Sequence, residues 1–297
     1  MITLKNIPIN KEWIDYSSLA MFWKCPRAYY WRIVKELTTT GEKAALINGT
    51  AYHEAKATFY HAKIAGLPFD ECVDKALKSM IPIMAEIKSE DKKRNITVAL
   101  STMNAYFDYW RNEPYEIVAA EIPFAVDLIN FLYVGKIDAF KKHEAFGNLV
   151  QETKTTSIVG DRWAERGNPN AQVDGYVAGY YISTGVMPDG AILDIIPVTE
   201  KCDKKPFRFI TTRTLSDVED WMSNIQEWWF TLQRYKETGI FPMNTESCVP
   251  LLGFKCDYTI LCSMYKHPYK IDHLEIPAEY KVEHWAPYEG LEKEVKI

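Results

Sequence analysis

The sequence predicts an α/β fold with a sheet at its core and a helical piece in front of it. Residues up to about Asn112 show helical periodicity, three short β-rich runs follow, and the chain then alternates between helix and strand. We find no linker and no internal repeat, so residues 1–297 are interpreted as one domain. Its predicted parts are a helical front piece 1–112, a core 113–240 and a cysteine-rich C-terminal piece with a tail, 241–297.

The front piece contains three predicted helices. Asn48 is a candidate cap for the first, which runs through GTAYHEAKATFYHAKIAG and ends at Gly66-Leu67-Pro68. Two further helical stretches cover about 69–90 and 92–112.

Three β-rich runs then predict an antiparallel meander. They are YEIVAAEIPFAVD, FLYVGKIDAFKK and GNLVQETKT, with turns around Asn130 and Phe146-Gly147-Asn148. A helix over Ala171–Thr184 begins after Asn168-Pro169-Asn170, and the strands AILDIIPVT and PFRFITTRT follow it. A long helix is predicted from Ser216 to about Thr238, and the last 60 residues read as irregular.

Composition is that of a soluble globular protein, with 47% hydrophobic and 25% charged residues. The net charge of -5 gives no global signal for nucleic acid, although a local basic channel would suffice. No apolar run of 18 residues occurs, so no membrane span is expected. Six cysteines without a secretory signal predict a cytoplasmic location.

Two residues of opposite charge lie close together at the end of the third predicted strand. Glu152 and Lys154 are one residue apart, so their side chains share one face, and Asp138 on the preceding strand can lie beside them. Two carboxylates at one sheet end repel unless a cation separates them, and oxygen ligands suit Mg²⁺ or Mn²⁺. This pattern predicts metal-assisted phosphodiester hydrolysis. The alternative is a Glu–Lys pair on an exposed strand face.

In order along the chain, these motifs resemble those of the PD-(D/E)XK nuclease superfamily, in its RecB-like branch. The matching residues are His53 in NGTAYHEA, Asp138 in GKID, Glu152 and Lys154 in ETK, and Gln172 and Tyr176 in AQVDGY. Glu121 in AAEIPF is similar to an acid found upstream in some members. The resemblance implies a restriction-endonuclease-like mixed central sheet flanked by helices.

The resemblance also implies roles for these residues. His53, Asp138, Glu152 and the Thr153 carbonyl would bind Mn²⁺ or Mg²⁺, and Lys154 would orient the attacking water. Gln172 and Tyr176 would contact the nucleic-acid backbone or support the metal site. Without the family, His53 reads as an ordinary core or surface histidine, and Gln172 with Tyr176 as a pair on a helix surface.

Four cysteines form a second candidate site. Cys248, Cys256 and Cys262 are separated by seven and five residues, and Cys25 lies far away in a Cys-Pro context. No Cys-x-x-Cys typical of zinc occurs, and unligated buried thiols are the other alternative. RecB-like nucleases of the AddB and CRISPR-associated kinds likewise have one cysteine before the core and three after it. This resemblance implies a [4Fe–4S] cluster that joins the N-terminal piece to the C-terminal piece.

Residues 17–35 combine Lys24, Arg27, Arg32 and Lys35 with five aromatic rings. Such a mixture is typical of a single-strand channel, although rings that pack in a core are the alternative. The family implies an exonuclease acting on single-stranded DNA or DNA ends in recombination, repair or phage DNA metabolism. It also implies a helicase or recombination partner, because no P-loop motif is present.

Two other function classes compete with a nuclease. One is a catalytically silent DNA-binding or assembly subunit that keeps the fold. The other is a redox or zinc-binding structural protein in which the ETK strand is surface. Intact Asp138, Glu152 and Lys154 favour the nuclease.

Overall fold

The computed structural model describes residues 11–158, 160, 162–250, 255–270 and 274–285, with only the backbone described at Arg162. These residues form two compact units. The first unit contains Glu42–Val126 and Gly135–Trp221, and the second contains the described residues up to Gly41, Asp127–Val134 and those from Met222 onward. The interpretation of the whole chain as one domain stays a prediction.

The predicted helices and strands occur in the predicted order, but the structure adds two short strands to the front piece and a helix and a strand to the last 60 residues. The helices are α1 Tyr16–Lys24, α2 Pro26–Tyr29, α3 Ala44–Ile64, α4 Phe69–Met84, α5 Ile96–Tyr109, α6 Arg162–Glu165, α7 Ala171–Thr184, α8 Leu215–Thr238 and α9 Thr259–Met264, with a π-helical turn at Tyr30–Val34 and 3₁₀ turns at Thr245–Ser247 and Pro268–Lys270. The strands are β1 Trp13–Asp15, β2 Leu37–Thr39, β3 Tyr115–Asp127, β4 Leu132–His143, β5 Gly147–Thr156, β6 Gly190–Pro197, β7 Phe207–Thr211 and β8 Tyr280–Val282.

Short polar side chains fix the starts of several helices. The Asn95 carbonyl oxygen of the side chain accepts from the Val98 N–H at the start of α5, and Asn170 accepts from two N–H groups at the start of α7. These bonds satisfy donors that a helix cannot pair internally. Gly185 ends α7 in the left-handed conformation with φ of 74°, which costs glycine little.

The sheet of the first unit is mixed. β4 lies between β3 and β5, and β6 and β7 follow. β4 and β5 are antiparallel, β5 and β6 are parallel, and β6 and β7 are antiparallel. β6 is buried at every position, as expected for a strand covered on both faces. The predicted mixed central sheet flanked by helices is therefore confirmed.

Neighbouring residues of β4 show that helices cover both faces of this sheet. The Phe140 ring stacks on Tyr180 of α7 with centroids 4.6 Å apart, while Lys141 Nζ lies 4.8 Å from the ring centroid of Tyr60 on α3. Alternation along a strand sends consecutive side chains to opposite faces. α7 and α3 therefore lie on opposite sides of the sheet.

The second unit contains two small pairings. β1 runs parallel to Leu132–Val134 at the start of β4, and β2 is antiparallel to β8. Its core is aromatic: Phe22 packs against Trp228 at 6.0 Å, and Phe131 stacks on Trp229 at 4.5 Å. None of the helices in the described part of the chain has both the length and the apolar character that crossing a bilayer requires.

One prediction about local structure is wrong. Asn48 does not cap α3, because that helix begins one turn earlier at Ala44 and leaves Asn48 inside it.

The rings of residues 17–35 mostly pack in the core, which is the alternative that the sequence left open. Phe22, Tyr29, Tyr30 and Trp31 are buried, and Trp23 is half-buried. The single-strand channel stays a prediction.

Gly179 of α7 is predicted to be essential for packing. A Cβ at Gly179 would lie 2.5 Å from the ring of Phe124, which is buried and also lies against Gly135. Gly179→Ala should therefore lower the free energy of unfolding by about 1–3 kcal/mol through overpacking. Denaturant unfolding measures this change.

Gly49→Ala in α3 is the matched control. There, the nearest atom to a new Cβ is Thr155 Oγ1 at 3.8 Å, an ordinary contact. Alanine in a helix interior then gains up to about 1 kcal/mol over glycine. Equal midpoints for the two variants would contradict the proposed packing against Phe124.

Candidate active site

Three potential ligand groups converge in the first unit. His53 of α3, Glu121 of β3 and Asp138 of β4 each bring one ligand atom to within 4.8 Å of those of the other two. His53 Nδ1 lies 3.4 Å from Asp138 Oδ1. An imidazole and two carboxylates make a donor set suited to a divalent cation with mixed nitrogen and oxygen ligands.

Asp138 is fixed by the backbone of the neighbouring strand. The Thr153 N–H of β5 donates to Asp138 Oδ2 at 2.7 Å, and the carboxyl group is almost completely buried. The antiparallel register of β4 and β5, with Ala139 opposite Gln151, brings the two residues together. The sheet ladder thus determines where this carboxylate points.

Glu152 and Lys154 contact each other on β5, as the alternation of the strand predicts. Glu152 Oε1 forms an ion pair with Lys154 Nζ, while the buried Glu152 Oε2 has no hydrogen-bond partner among the described residues. A buried oxygen of this kind costs about 1–3 kcal/mol if it stays unpaired. A cation or a water molecule at this position would remove that cost.

Two residues of α7 hold Lys154. Its Nζ donates to Gln172 Oε1 at 2.7 Å, and Gln172 Nε2 donates to the Tyr176 hydroxyl at 3.0 Å. Gln172 and Tyr176 share a helix face because they are four residues apart. They therefore position the lysine, while their predicted roles at the nucleic-acid backbone or the metal site stay predictions.

Charge and burial divide the three carboxyl groups. Burial would raise the pKa of Asp138, but the charge of His53, their hydrogen bond, Lys56 and the Thr153 N–H together hold it below its usual value. Burial and the charge of Asp138 raise the pKa of Glu121 and of Glu152, against the opposition of Lys136 and Lys154 respectively. Repulsion of this kind disappears when a cation binds between the acids.

His53 responds to the same group. Burial opposes its charged form, but the carboxylate of Asp138 and the hydrogen bond between them raise the pKa of the imidazole above its usual value. Glu152 adds to this effect with its charge. The neighbouring carboxylates thus create a negative electrostatic potential at the imidazole.

The geometry groups the predicted residues differently from the resemblance. Glu121, which the sequence suggested only by a partial match, lies in the trio with His53 and Asp138, and Glu152 lies outside it. The Thr153 N–H and hydroxyl both have partners within the protein. The proposed role of its carbonyl oxygen as a metal ligand stays a prediction. β3 pairs with β4, which explains the approach of Glu121 to Asp138.

Sequence reasoning missed a buried charged network behind the site. Lys56 Nζ donates to Thr153 Oγ1 and to Asp194 Oδ2, each at 2.6 Å. Asp194 also pairs with Arg208 at 3.1 Å and accepts from the Tyr106 hydroxyl. The network continues through Arg208 and Lys141 to Glu113, and Gln151 joins it at Asp194.

A signal for this network was present in the sequence. Asp194 stands alone in the apolar strand AILDIIPV, and Lys56 lies between Ala55 and Ala57 on a helix that packs in the core. A lone charge in a buried run requires an opposite charge nearby. Which residue supplies it depends on the tertiary structure, so the partner could not be named.

The four predicted cluster cysteines lie together in the second unit. Burial raises the pKa of both Cys256 and Cys262, and the charge of Cys25 raises it further. Cys248 adds to the effect on Cys256. The Cys256 N–H donates to the Cys248 carbonyl oxygen at 2.9 Å. Cys72 is buried in the first unit, as predicted, and Cys202 is half-buried in its turn.

Removing the Lys56 ammonium should destabilise the first unit strongly. Lys56→Met removes a donor to the Thr153 hydroxyl and one of the two cations paired with Asp194. Loss of one member of a buried ion pair costs about 3–5 kcal/mol. Urea unfolding followed by fluorescence measures the difference from the wild type. Lys78→Met is the control, because its ion pair with Asp74 is exposed and contributes less than about 1 kcal/mol. Similar losses in both variants would contradict a structural role for the network.

Comparison with known proteins identifies the family. Two solved structures resemble the fold: a candidate exonuclease from Eubacterium rectale, with a TM-score of 0.49 and 14% identity over 92% of this chain and 96% of that chain, and the protein SSO0001, with a TM-score of 0.37 and 12% identity over 87% and 89%. No curated protein matches the chain. A sequence model of the PD-(D/E)XK nuclease superfamily matches residues 15–263, and the chain belongs to that superfamily.

Proposed function

We propose that this protein is a metal-dependent deoxyribonuclease of the RecB-like branch that degrades single-stranded DNA or DNA from a free end. The observation that carries the proposal is the convergence of His53, Glu121 and Asp138 beside the Glu152–Lys154 pair. Nucleases of this superfamily use divalent metals. A helicase or recombination partner, which would supply unwinding, stays a prediction.

The residues present fit a divalent ion. His53 offers a ring nitrogen, Glu121 and Asp138 offer oxygens within 4.8 Å, and Glu152 Oε2 is buried without a hydrogen bond among the described residues. The oxygens suit Mg²⁺ or Mn²⁺, and the imidazole favours Mn²⁺. A bound divalent metal supplies Lewis-acid polarisation of a phosphodiester.

The remaining chemistry belongs to the side chains around these ligands. We assign Lys154 the task of orienting the attacking water or neutralising charge that develops on the phosphate. Its ammonium is held by Glu152 and Gln172, so its direction is set before substrate arrives. Tyr176 completes the support by accepting from Gln172.

Asp138→Asn tests the proposal with the smallest change in shape. It removes the charge that His53 and any divalent ion would share, so Mn²⁺-dependent cleavage of end-labelled single-stranded DNA should fall by at least ~10²-fold. Mn²⁺ binding measured by calorimetry should weaken in parallel, and the melting temperature shows whether the fold is kept.

Glu54→Gln is the matched control for Asp138→Asn. Glu54 follows His53 on α3 but is exposed and accepts from Thr58. We expect cleavage and Mn²⁺ binding as in the wild type. A wild type that binds DNA without cleaving single strands, duplexes or flaps would instead indicate a catalytically silent DNA-binding subunit.

We further propose that Cys25, Cys248, Cys256 and Cys262 hold a [4Fe–4S] cluster. Donors to sulfur support it: the Asn244 N–H donates to Cys25 Sγ at 3.4 Å, and Trp31 Nε1 donates to Cys262 Sγ at 3.3 Å. Hydrogen bonds to the ligating sulfurs are among the features that tune such clusters.

The sequence pattern favours a cluster over a single zinc ion. Zinc sites typically contain a Cys-x-x-Cys pair, and the six cysteines of this sequence include none.

Cys25→Ser should remove most of the bound iron and sulfide from anaerobically purified protein. Metal binding of this kind is coupled to folding, so the melting temperature should fall as well. Cys72→Ser is the control, because Cys72 is buried in the first unit and its thiol donates to the Leu67 carbonyl oxygen. Iron content that is equal in the two variants would reject the cluster.

A further inference from the structure

A small polar pocket lies in the first unit at the N-terminal end of α3. Its volume is about 100 Å³, the scale of a single small group rather than of a base. The polar residues in its lining are Asn48, Lys93, Arg94, Thr155, Thr156 and Ser157. None of these residues has served the proposed catalytic chemistry.

The lining has the character of an anion site. It combines two cations with three hydroxyl groups, and no acid lines it. The α3 helix also begins without a side-chain cap. Helix N-termini attract negative charge through their unpaired N–H groups. Arg94 is held by an ion pair with Asp91 at 2.8 Å, whereas the Lys93 side chain is exposed.

Asn48 gives an independent reason to expect a ligand. Its side chain is only 2% exposed and lines the pocket, yet its Oδ1 has no hydrogen-bond partner among the described residues. A buried amide oxygen that lacks a partner costs about 1–3 kcal/mol. A half-turn of this amide exchanges Oδ1 and Nδ2, so it can present a donor to an anion.

The pocket is close to the candidate active site along two elements. Thr155 and Thr156 follow Lys154 directly, which places the pocket within ~7 Å of that residue along the strand. Asn48 precedes His53 by five residues of α3, a rise of ~7.5 Å. Both distances are short enough for neighbouring phosphates of one strand to reach the pocket and the active site.

We propose that this pocket binds one phosphate group of the DNA strand while a neighbouring phosphodiester lies at the active site. The inference rests on the proposed nuclease function and adds a subsite to it. Lys93 supplies charge, Thr155 supplies a hydroxyl donor, and Asn48 supplies a buried amide. The Thr156 hydroxyl is already bonded to the Ile158 backbone. The phosphate is either a terminal one or an internal phosphodiester, which share this chemistry.

The first test compares two adjacent lysines. Lys93→Gln removes a pocket cation, and Lys92→Gln removes its exposed neighbour outside the pocket. Both are made in a Lys154→Ala background, so that the single-stranded oligonucleotide stays intact during binding. Loss of one phosphate contact should reduce the slope of log K against log salt by about 0.7 for Lys93→Gln only.

The second test locates the phosphate and guards against a general charge effect. Oligonucleotides with one neutral methylphosphonate linkage, placed at successive positions, and oligonucleotides with or without a 5′-phosphate are bound to the same proteins. The protein that retains Lys93 should bind less tightly when the phosphate at one position, internal or terminal, is neutral or missing. Lys93→Gln should remove that sensitivity. Asn48→Leu, which keeps the net charge, should weaken binding of the same position.

The outcomes separate the two proposals. If the wild type cleaves DNA but both lysine variants have the same salt slope and no position is sensitive, the phosphate pocket is overturned and the nuclease stands. If the wild type neither binds nor cleaves DNA, both are overturned. A position-specific loss that disappears with Lys93→Gln supports the pocket, and its place in the oligonucleotide tells a terminal phosphate from an internal one.

Discussion

The ammonium of Lys56 is the contact on which the arrangement of the first unit depends. It reaches from α3 across to Thr153 of β5 and Asp194 of β6, at 2.6 Å to each, and is almost completely buried. His53 lies one turn earlier on α3, and the backbone of Thr153 holds Asp138. One lysine therefore links the helix that carries the imidazole to the strand that positions the carboxylate.

The buried charged network has an excess of positive charge. Among the described residues, Lys56, Lys141 and Arg208 are paired with two carboxylates, those of Glu113 and Asp194. The excess positive charge is felt nearby: burial would raise the pKa of Tyr60, but Lys141 and Lys56 lower it. Lys56 likewise lowers the pKa of Asp138. The structural network thus helps to keep a candidate metal ligand ionised.

The sequence predicted elements best where local pattern and tertiary packing agree. β3 matches its predicted run, and α7 has its predicted bounds, because alternation, the Asn170 cap and Gly185 all act locally. The start of α3 was predicted too late, because Lys43, the residue before the first helical position, gives no capping signal in the sequence. The aromatic residues of the front piece were ambiguous, since a ring that packs in a core and a ring that stacks on a base look alike in sequence.

The site shows the same division. Glu152 and Lys154 were paired from spacing alone, because a strand fixes the relation of residues two apart. The approach of Glu121 to Asp138 depends on how β3 pairs with β4, which spacing does not give. Lys56 and Asp194 are 138 residues apart, so neither could be assigned its partner.

Exposure distinguishes the lysine assigned to chemistry from those that hold the sheet. The side chain of Lys154 is 40% exposed, whereas those of Lys56 and Lys141 are 4% and 0% exposed. A cation that must meet a phosphate from solution has to keep contact with water, but one that neutralises buried carboxylates gains from exclusion of water. Glu152 joins the two conditions, because one of its oxygens contacts Lys154 and the other is buried without a hydrogen bond among the described residues. Its carboxyl group therefore connects the buried charges of the core with the exposed lysine to which we assign the chemistry.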